Sequence, residues 1–344
     1  MALPLSSLYL QEADWATREY YAPKVQDVVF NSNALTAILR KNARVINSGT
    51  RIDGFAQFKK GTQGGWIPKS GTYAHTFERV HDAATWNPKI LTEPVSVYIA
   101  DLLMNQGNEQ RRFDLSMQMN EGAAKTMADN FGSALFSIDY TNTDAIDSLD
   151  RAVNNQTGSS DETGFSAVYG GITRAATGDG ATWNANVDDT NATLNLSVLN
   201  DTYLDCAEGT DTPDLVVSNN KAFSFYYDEL TPIQRQGTED LIGKGGFTAA
   251  VFNNCPWIID SHCPSADRVV PAAGAGFGTA PASEYVYMLN TSSIEIVAWN
   301  GAFFDYMGTM QPIDQWALVG RYFFMGNVVC YNPRLNGKLT AITS

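Results

Sequence analysis

One stretch of the sequence combines the residue types that bind phosphate in other proteins: FKKGTQGGWIPKSGTYAHTFER, residues 58–79. It holds several glycines together with Lys59, Lys60 and Lys69. A phosphate-binding loop places glycine directly before its lysine, so that the backbone can wrap around the anion. Here Pro68 precedes Lys69 and removes a backbone N–H donor. The pattern therefore predicts a glycine-rich turn between two strands and not a nucleotide site.

Other reactive residue types also lack the spacing of a known site. Cys255, His262 and Cys263 are close in sequence, but neighbours on a strand point to opposite faces, so His262 and Cys263 are not expected to share a metal ion. The sequence contains three histidines and no GxSxG, CxxC or HExxH motif. We therefore expect no metal, no cofactor and no enzymatic activity.

An enzyme that uses a bound metal ion is the alternative. Asp179, Asp188 and Asp189 could hold a divalent cation for a metal-assisted hydrolase, although their spacing is not that of a calcium loop. They lie in polar loops, where no burial is expected to raise the pKa of a carboxyl group.

The formal net charge of −14 is unevenly distributed. Residues 139–214 contain 14 Asp or Glu against two Arg, a net charge of −12, whereas residues 51–79 contain five Lys or Arg against two acids, a net charge of +3. This pattern is typical either of a solvated acidic surface or of two surfaces that attract each other, within one chain or between copies. The candidate contacts between copies are Arg51, Lys59, Lys60, Trp66, Lys69 and Arg79. The candidate acidic partner surface consists of Asp161, Glu162, Asp179, Asp188 and Asp189.

Several classes of protein are disfavoured by composition. An acidic chain without a long Lys/Arg run is not expected to bind duplex DNA. The four scattered cysteines predict buried, reduced thiols rather than a disulfide framework. The first residues lack the charge pattern of a signal peptide, and no apolar run is long enough to span a membrane. These features predict a protein made in the cytoplasm, with no membrane partner.

The periodicity of the sequence predicts a mixed α and β architecture. The alternating segments RIDGFAQFK and TYAHTFERV, with glycine-rich residues between them, favour a long β-hairpin, and a further alternating segment is EPVSVYI. Apolar residues at steps of three and four from residue 108 to 138 predict one long helix, and a short helix is expected in NSNALTAILRKN. Further helices are expected in TLNLSVLNDTYLDCAE and NKAFSFYYDELTPIQRQ, and strands in PDLVVS, AAVFNN, PWIIDS, EYVYMLN, SIEIVAW and LVGRYFFMGNVVCYN.

The order of these elements resembles the major capsid proteins of tailed double-stranded-DNA bacteriophages, which have the Hong Kong 97-type fold. The segments that carry the resemblance extend from about residue 20 to 342. They are YYAPKVQDVVFNSNALTAILRK, YGGITR followed by Trp183, PDLVVSNNKAFSFYYDEL, NNCPWIIDSHCP, VYMLNTSSIEI and YNPRLNGKLTAIT. Each motif is weak alone, and their ordered succession is what indicates the family.

The resemblance implies an α+β fold with five segments. They are an N-terminal arm with a short helix over residues 1–45, an extended β-hairpin loop and return strand over 46–100, a spine helix of the peripheral domain over 101–140, an axial domain with an acidic insertion over 141–284, and late strands of the peripheral domain over 285–344.

The resemblance also implies a function and partners. The chain is expected to assemble with itself as hexamers and pentamers into an icosahedral shell around double-stranded DNA, which it encloses without sequence-specific binding. It would be part of a virion and would assemble in the cytoplasm of a host bacterium. Expected partners are a portal, a separate scaffolding protein and a decoration protein. An encapsulin-like shell of a cellular compartment, with the same fold, is the alternative.

Overall fold

The computed structural model describes residues 33–57, 66–72, 80–104, 109–230, 249–266 and 281–344. The chain divides into two compact units. The first comprises Met1–Asn31, Leu91–Phe131 and Gly301–Phe324, and the second comprises Ser32–Ile90, Gly132–Asn300 and Met325–Ser344. The predicted N-terminal arm lies almost entirely outside the described residues, as do residues 267–280.

Six α-helices are present within the described residues. The α-helices are α1 (Ala34–Lys41), α2 (Ile99–Met104), α3 (Glu109–Leu135), α4 (Leu149–Ala152), α5 (Leu196–Cys206) and α6 (Asn220–Glu229). Single 3-10 turns cover Asp179–Trp183 and Pro333–Leu335. None of the described helices combines the length and the apolar character needed to cross a bilayer.

Fifteen strands are present within the described residues. The first seven are β1 (Arg44–Ile46), β2 (Ile52–Gln57), β3 (His81–Trp86), β4 (Lys89–Tyr98), β5 (Val168–Tyr169), β6 (Ile172–Thr173) and β7 (Asn186–Asp188). The others are β8 (Leu215–Ser218), β9 (Ala249–Phe252), β10 (Cys255–Ile259), β11 (Glu284–Leu289), β12 (Ile294–Trp299), β13 (Asp305–Met310), β14 (Ala317–Cys330) and β15 (Gly337–Ile342).

The first unit contains most of the long helix α3, strand β13 and the part of β14 up to Phe324. The predicted helix is confirmed, and it buries Phe131 within an aromatic group. The Phe131 ring lies 5.3 Å from that of Phe304 and 5.1 Å from that of Phe324, both in edge-to-face geometry. Such aromatic contacts add to the free energy gained from apolar burial, so this group forms a core for the unit.

A six-stranded sheet forms the centre of the second unit, in the order β7-β15-β11-β8-β10-β9. Strand β11 is antiparallel to both β8 and β15, while β8 and β10 are parallel. Helices α5 and α6 cover one face, where their apolar residues join Val216, Trp257, Met288 and Leu339 in one core. Because successive side chains of a strand point to opposite faces, the neighbouring Tyr287 and Lys338 are assigned to the other face.

Predicted strands and helices of the second unit are confirmed in type, with two changes at their ends. Helix α6 stops at Glu229, although the predicted helix extended to residue 236. The C-cap residue Leu230 is extended, and Pro232 two positions later disfavours helical backbone at the residue before it. Strands β9 and β10 are joined through Asn253 and Asn254, both with positive φ, which is typical of a two-residue hairpin turn.

All four cysteines are buried and carry free thiols, as the sequence predicts. Burial raises the pKa of Cys206 to about 12 and that of Cys330 to about 11. Because the thiolate is the reactive form, both side chains behave as small apolar residues of the core.

The motif YGGIT forms a tight hairpin between β5 and β6. Gly170 and Gly171 have φ values of 59° and 76°, as a two-residue turn of this hand requires. A β-carbon on Gly170 would lie 3.0 Å from the indole of Trp86, and the carbonyl of Gly170 accepts a hydrogen bond from the Thr85 N–H at 2.8 Å. The turn therefore packs directly on strand β3.

We predict that Gly170→Ala lowers the free energy of unfolding by about 2–4 kcal/mol, because left-handed backbone strain adds to overpacking against Trp86. Gly209→Ala is the matched control, since Gly209 has a φ of 65° and no atom within 4 Å of a built β-carbon. Its loss should be about 1–2 kcal/mol, from backbone strain alone. Urea unfolding measures both values, and equal losses would contradict the role of the Trp86 contact.

Candidate interaction surfaces and a buried ionic cluster

Strands β2 and β3 form a β-hairpin, and one of its faces is packed. Strand β3 begins at His81, later than the predicted second strand over residues 72–80, and residues 73–79 of that prediction lie outside the described residues. Strands β2 and β3 are antiparallel and pair from Ile52 with Trp86 to Gln57 with His81. Ile52 and Trp86 are buried, and the Trp86 ring contacts that of Tyr331 at 5.9 Å. Phe55 lies on the opposite face and is 88% exposed. The base of the hairpin is therefore anchored in the second unit while its other face is open.

The described part of the connection between β2 and β3 presents apolar and basic side chains to solvent. Trp66 is fully exposed, and Ile67 and Lys69 are exposed as well. Arg51 forms an exposed ion pair with Asp53 at 2.8 Å, so part of its charge is satisfied within its own chain. The remaining candidate contacts, Lys59, Lys60 and Arg79, lie outside the described residues.

A second exposed apolar surface lies in the first unit and was not predicted. We call it the β13 surface, formed by Tyr306, Met307, Met310, Ile313 and Trp316. All six residues of strand β13 are exposed, and Ile313 in the following loop is fully so. The Tyr306 ring lies 4.8 Å from that of Tyr322 on the paired strand, at a tilt of 43°. The sequence does not predict this strand, because its segment DYMGTM is short and contains a glycine.

The β13 surface has the properties of an interface. Methionine side chains are flexible and polarizable and adapt to partner surfaces of different shape. Strand β13 is the last strand in its sheet order and carries neither lysine nor proline, which are residues that commonly block pairing at an exposed edge. Contiguous apolar exposure of this kind marks contact sites in proteins.

Most predicted acidic surface residues remain near solvent, with local partners. Asp161 accepts a hydrogen bond from the Ser283 hydroxyl at 3.0 Å, and Asp189 is exposed. The Asp188 carboxylate accepts from the Thr190 N–H at 3.0 Å and the Thr190 hydroxyl at 2.8 Å, and these hydrogen bonds lower its pKa despite partial burial. The side chain of Asp179 is outside the described part of the structure.

The prediction for Glu162 is wrong, because this residue is not part of an exposed surface. Its side chain is completely buried and lies 2.5 Å from the Lys338 ammonium. The polar residues beside Glu162 in the sequence predict an exposed position for it. The physical reason for its burial is a lysine 176 positions later in the chain, which local sequence does not reveal.

Lys338, Asp150 and Glu162 form a buried ionic cluster. The Lys338 Nζ donates to Asp150 Oδ1 at 2.9 Å and to Glu162 Oε1 at 2.5 Å, and all three side chains have no solvent exposure. Lys338 comes from strand β15 and Asp150 from helix α4. The cluster therefore joins the polar segment after α3 to the central sheet.

Neutral hydrogen-bond donors complete the cluster. The hydroxyls of Tyr140 and Tyr287 donate to Oδ2 and Oδ1 of Asp150, the latter at 2.7 Å. The amide of Asn154 donates to both oxygens of Glu162 at 2.8 Å. Burial and the nearby carboxylates hold the pKa of both tyrosines well above the usual range, so they act as donors. Burial and the Asp150 charge raise the pKa of Glu162, while Lys338 opposes that rise.

A second buried cation lies beside the same helix. The Arg174 guanidinium donates to the carbonyls of Trp183, Arg151 and Ala152 at 3.0, 3.0 and 2.7 Å. Burial lowers its pKa to about 10. The last two carbonyls belong to the end of α4, where a helix leaves its carbonyls without partners of its own. Arg174 and Trp183 thus close the motif YGGITR onto the helix that carries Asp150.

The residues considered for metal binding are engaged elsewhere. The His262 imidazole contacts Asp260 Oδ1 at 3.2 Å, whereas the Cys255 thiol faces the Pro213 carbonyl at 2.9 Å and that of Cys263 the Tyr285 carbonyl at 3.5 Å. Within the described residues, no group of three or more His, Cys, Asp or Glu is placed to hold a metal ion.

Comparison with protein-family models and with curated proteins gives no match to this sequence. Comparison with solved structures gives matches over nearly the whole chain. The capsid asymmetric unit of cyanophage A-1(L) has a TM-score of 0.66 and 13% sequence identity, covering 95% of this chain and 98% of the other. A chain of Mycobacterium phage Ogopogo has a TM-score of 0.56 and 15% identity, covering 99% of both chains. The capsid of Myoviridae phage XM1 has a TM-score of 0.53 and 13% identity, also covering 99% of both.

These structures confirm the predicted fold class. The chain has the α+β fold of tailed-phage major capsid proteins.

We predict that Lys338→Met lowers the free energy of unfolding by about 3–5 kcal/mol, because two carboxylates stay buried without a cation. Losing Lys338 removes the interaction that lowers the pKa of Glu162, so this pKa rises further above its usual 4.5. A raised pKa in the folded state means that the folded variant binds a proton which the unfolded chain releases. The variant is then most stable at acidic pH and loses stability as pH rises through the raised value.

Urea unfolding of this variant at about pH 5 and about pH 8 measures the effect. Arg51→Met is the control, since it removes an ion pair whose side chains are 59% and 47% exposed and should cost about 0–1 kcal/mol. A Lys338→Met variant as stable as the control would contradict the importance of the cluster.

Proposed function

We propose that this chain is the structural subunit of a tailed-phage capsid, which assembles with copies of itself as hexamers and pentamers into an icosahedral shell around double-stranded DNA. The observation that carries this proposal is the fold match over 95% of this chain and 98% of the cyanophage A-1(L) capsid chain. Because the match covers nearly the full length of both chains, it extends beyond a single shared substructure.

The two exposed apolar surfaces support an assembling protein. Trp66, in the connection between β2 and β3, and Ile313, in the β13 surface, are fully exposed. Neither side chain therefore adds apolar burial to the stability of a folded monomer. Aromatic and methionine side chains are enriched at protein interfaces. We assign both surfaces to contacts between neighbouring copies. Many modest contacts repeated by symmetry add up to a stable assembly.

The charge distribution fits the same proposal. Lys59, Lys60 and Lys69 belong to the basic stretch, and Asp161 and Asp189 belong to the acidic block. We propose that the basic stretch of one copy contacts an acidic surface of another, because opposite charges steer association and set its register. The excess negative charge would also limit adhesion of the shell to packaged DNA.

The expected segments keep their roles within this proposal. Residues 46–100 would form the extended loop, 101–140 the spine of the peripheral domain, 141–284 the axial domain and 285–344 the late peripheral strands, with the arm over residues 1–45. A scaffolding protein, a portal and a decoration protein would be its partners during assembly in the host.

Electron microscopy of the chain expressed alone and with the other head proteins tests the proposal. We expect shells, tubes or capsomer rings, because the exposed apolar surfaces need partners. Closed shells that form without any other head protein and enclose a cellular enzyme would favour the encapsulin-like alternative. Compact monomers under every condition would refute self-assembly. That outcome would favour a monomeric function such as the metal-assisted hydrolase.

We predict that reversing Lys59, Lys60 and Lys69 to glutamate together abolishes assembly, because it replaces attraction to an acidic neighbour by repulsion. The matched control changes the same three lysines to arginine, keeps the charge and should still assemble. Sedimentation and microscopy measure assembly, and circular dichroism checks that the reversed subunit is folded. Normal shells from the reversed variant, or loss of its helical signal, would contradict the assigned role of these lysines.

A further inference from the structure

We propose that Lys338 and Asp150 condense into an amide bond within one subunit, with Glu162 as the group that carries the protons. This proposal goes beyond the assembly function and does not depend on it. It stands on the arrangement of the buried ionic cluster, which holds a primary amine, a carboxyl group and a second carboxylate in mutual contact without solvent.

The nucleophile is held beside the carboxyl group that it would attack. Lys338 Nζ lies 2.9 Å from Asp150 Oδ1, the oxygen bonded to the carbon that would react. Both residues lie on regular elements, strand β15 and helix α4, and neither side chain is exposed. Holding two reacting groups in contact in this way replaces an encounter between molecules by a step within one molecule.

The electrophile is surrounded by donors. Tyr140 donates to Oδ2 of Asp150, and Tyr287 donates to Oδ1 at 2.7 Å. When Nζ adds to the carboxyl carbon, negative charge accumulates on these same oxygens. Pre-positioned donors in a site without water stabilise such charge strongly. Tyr140 is thus placed to stabilise the charge on Oδ2, the oxygen that stays in the amide, while Tyr287 contacts Oδ1, the oxygen that leaves.

Glu162 is placed to accept protons from the amine. Its Oε1 lies 2.5 Å from Lys338 Nζ, and Asn154 holds both carboxylate oxygens at 2.8 Å. An amine attacks only as the neutral base, so a proton acceptor in direct contact is required. Burial and the neighbouring Asp150 raise the pKa of Glu162, which makes it a better acceptor than an exposed glutamate.

The atoms and charges of the step balance without any further reactant. The Lys338 ammonium has three protons on Nζ. One stays on the amide nitrogen. A second passes through Glu162 to Oδ1 of Asp150 before the attack, so that a neutral amine meets a neutral carboxyl group, and the third follows to Oδ1, which leaves as water. The Nζ–Cγ bond forms, the Cγ–Oδ1 bond breaks, nothing is oxidised, and Glu162 returns to its starting state. The product removes the Lys338 ammonium and the Asp150 carboxylate from the interior, and Glu162 keeps the two hydrogen bonds from Asn154.

A bond at this position would fasten residues distant in sequence. It would join the closing strand β15 to the polar segment after α3, across 188 positions of the chain. Such a link closes a long loop in the unfolded chain and so stabilises the fold by reducing unfolded-state entropy. A shell subunit fastened in this way would keep its central sheet intact under load.

Intact-mass spectrometry of the purified, unfolded full-length chain tests the proposal. We expect a mass lower than that of the sequence by one water molecule. Trypsin should then yield a branched peptide in which residues 126–151 are joined to residues 335–344, with cleavage after Lys338 blocked. A chain with the full mass of its sequence, and with normal cleavage after Lys338, would overturn the proposal.

Two variants locate the bond and its proton carrier. Lys338→Arg cannot form the amide and should have the full mass of its sequence, whereas Glu162→Gln should lose most of the linked product. Lys221→Arg is the matched control, because Lys221 also contacts a carboxylate, Glu284, at 3.2 Å but is 41% exposed. It should keep the mass deficit. A deficit that persists in Lys338→Arg, or unchanged linkage in Glu162→Gln, would overturn the assignment of those residues.

Discussion

The constraint on which the second unit depends is the neutralisation of a buried lysine. Lys338 lies in β15, a strand whose neighbours β11 and β7 pair with it on both edges. A buried ammonium is stable only if carboxylates and further hydrogen bonds replace its water. The chain supplies Asp150 and Glu162 from the segment after the long helix. That segment also buries Leu149 and Val153, and the ionic cluster adds charged contacts between it and the sheet.

The acidic residues of 139–214 have two different roles, because some of them are buried with Lys338 and others are exposed. Asp150 and Glu162 lie inside, where they neutralise Lys338, and Asp147 pairs with Arg151 at 3.0 Å. Others of the acidic block, such as Asp189, remain exposed. Net charge therefore overstates the acidity of the surface formed by residues 139–214. What remains outside is available for contacts with a basic neighbour, and this is the part of the charge that matters for assembly.

Exposure in this molecule is as informative as burial. Trp66 in the hairpin and Ile313 beside β13 are apolar and fully exposed, while the base of the hairpin is held by the packing of Trp86 against Tyr331. A rigid base with an open apolar tip is suited to reaching a neighbouring molecule, because little conformational entropy at the base is lost on binding. The proposed shell function uses this division between anchored and open parts.

The sequence by itself determined the local elements, since their causes are local. The apolar period of α3, the paired glycines of the β5–β6 turn and the alternation in β4 each predict an element from a few neighbouring residues. The order of those elements also indicated the capsid fold, which the solved structures confirm. Only the tertiary structure decided that Glu162 is buried, that Asp150 contacts Lys338 and that β13 is the last strand of its sheet within the described residues. The first two outcomes depend on contacts across more than a hundred positions, and in a local window a buried carboxylate has the same sequence environment as a solvated one.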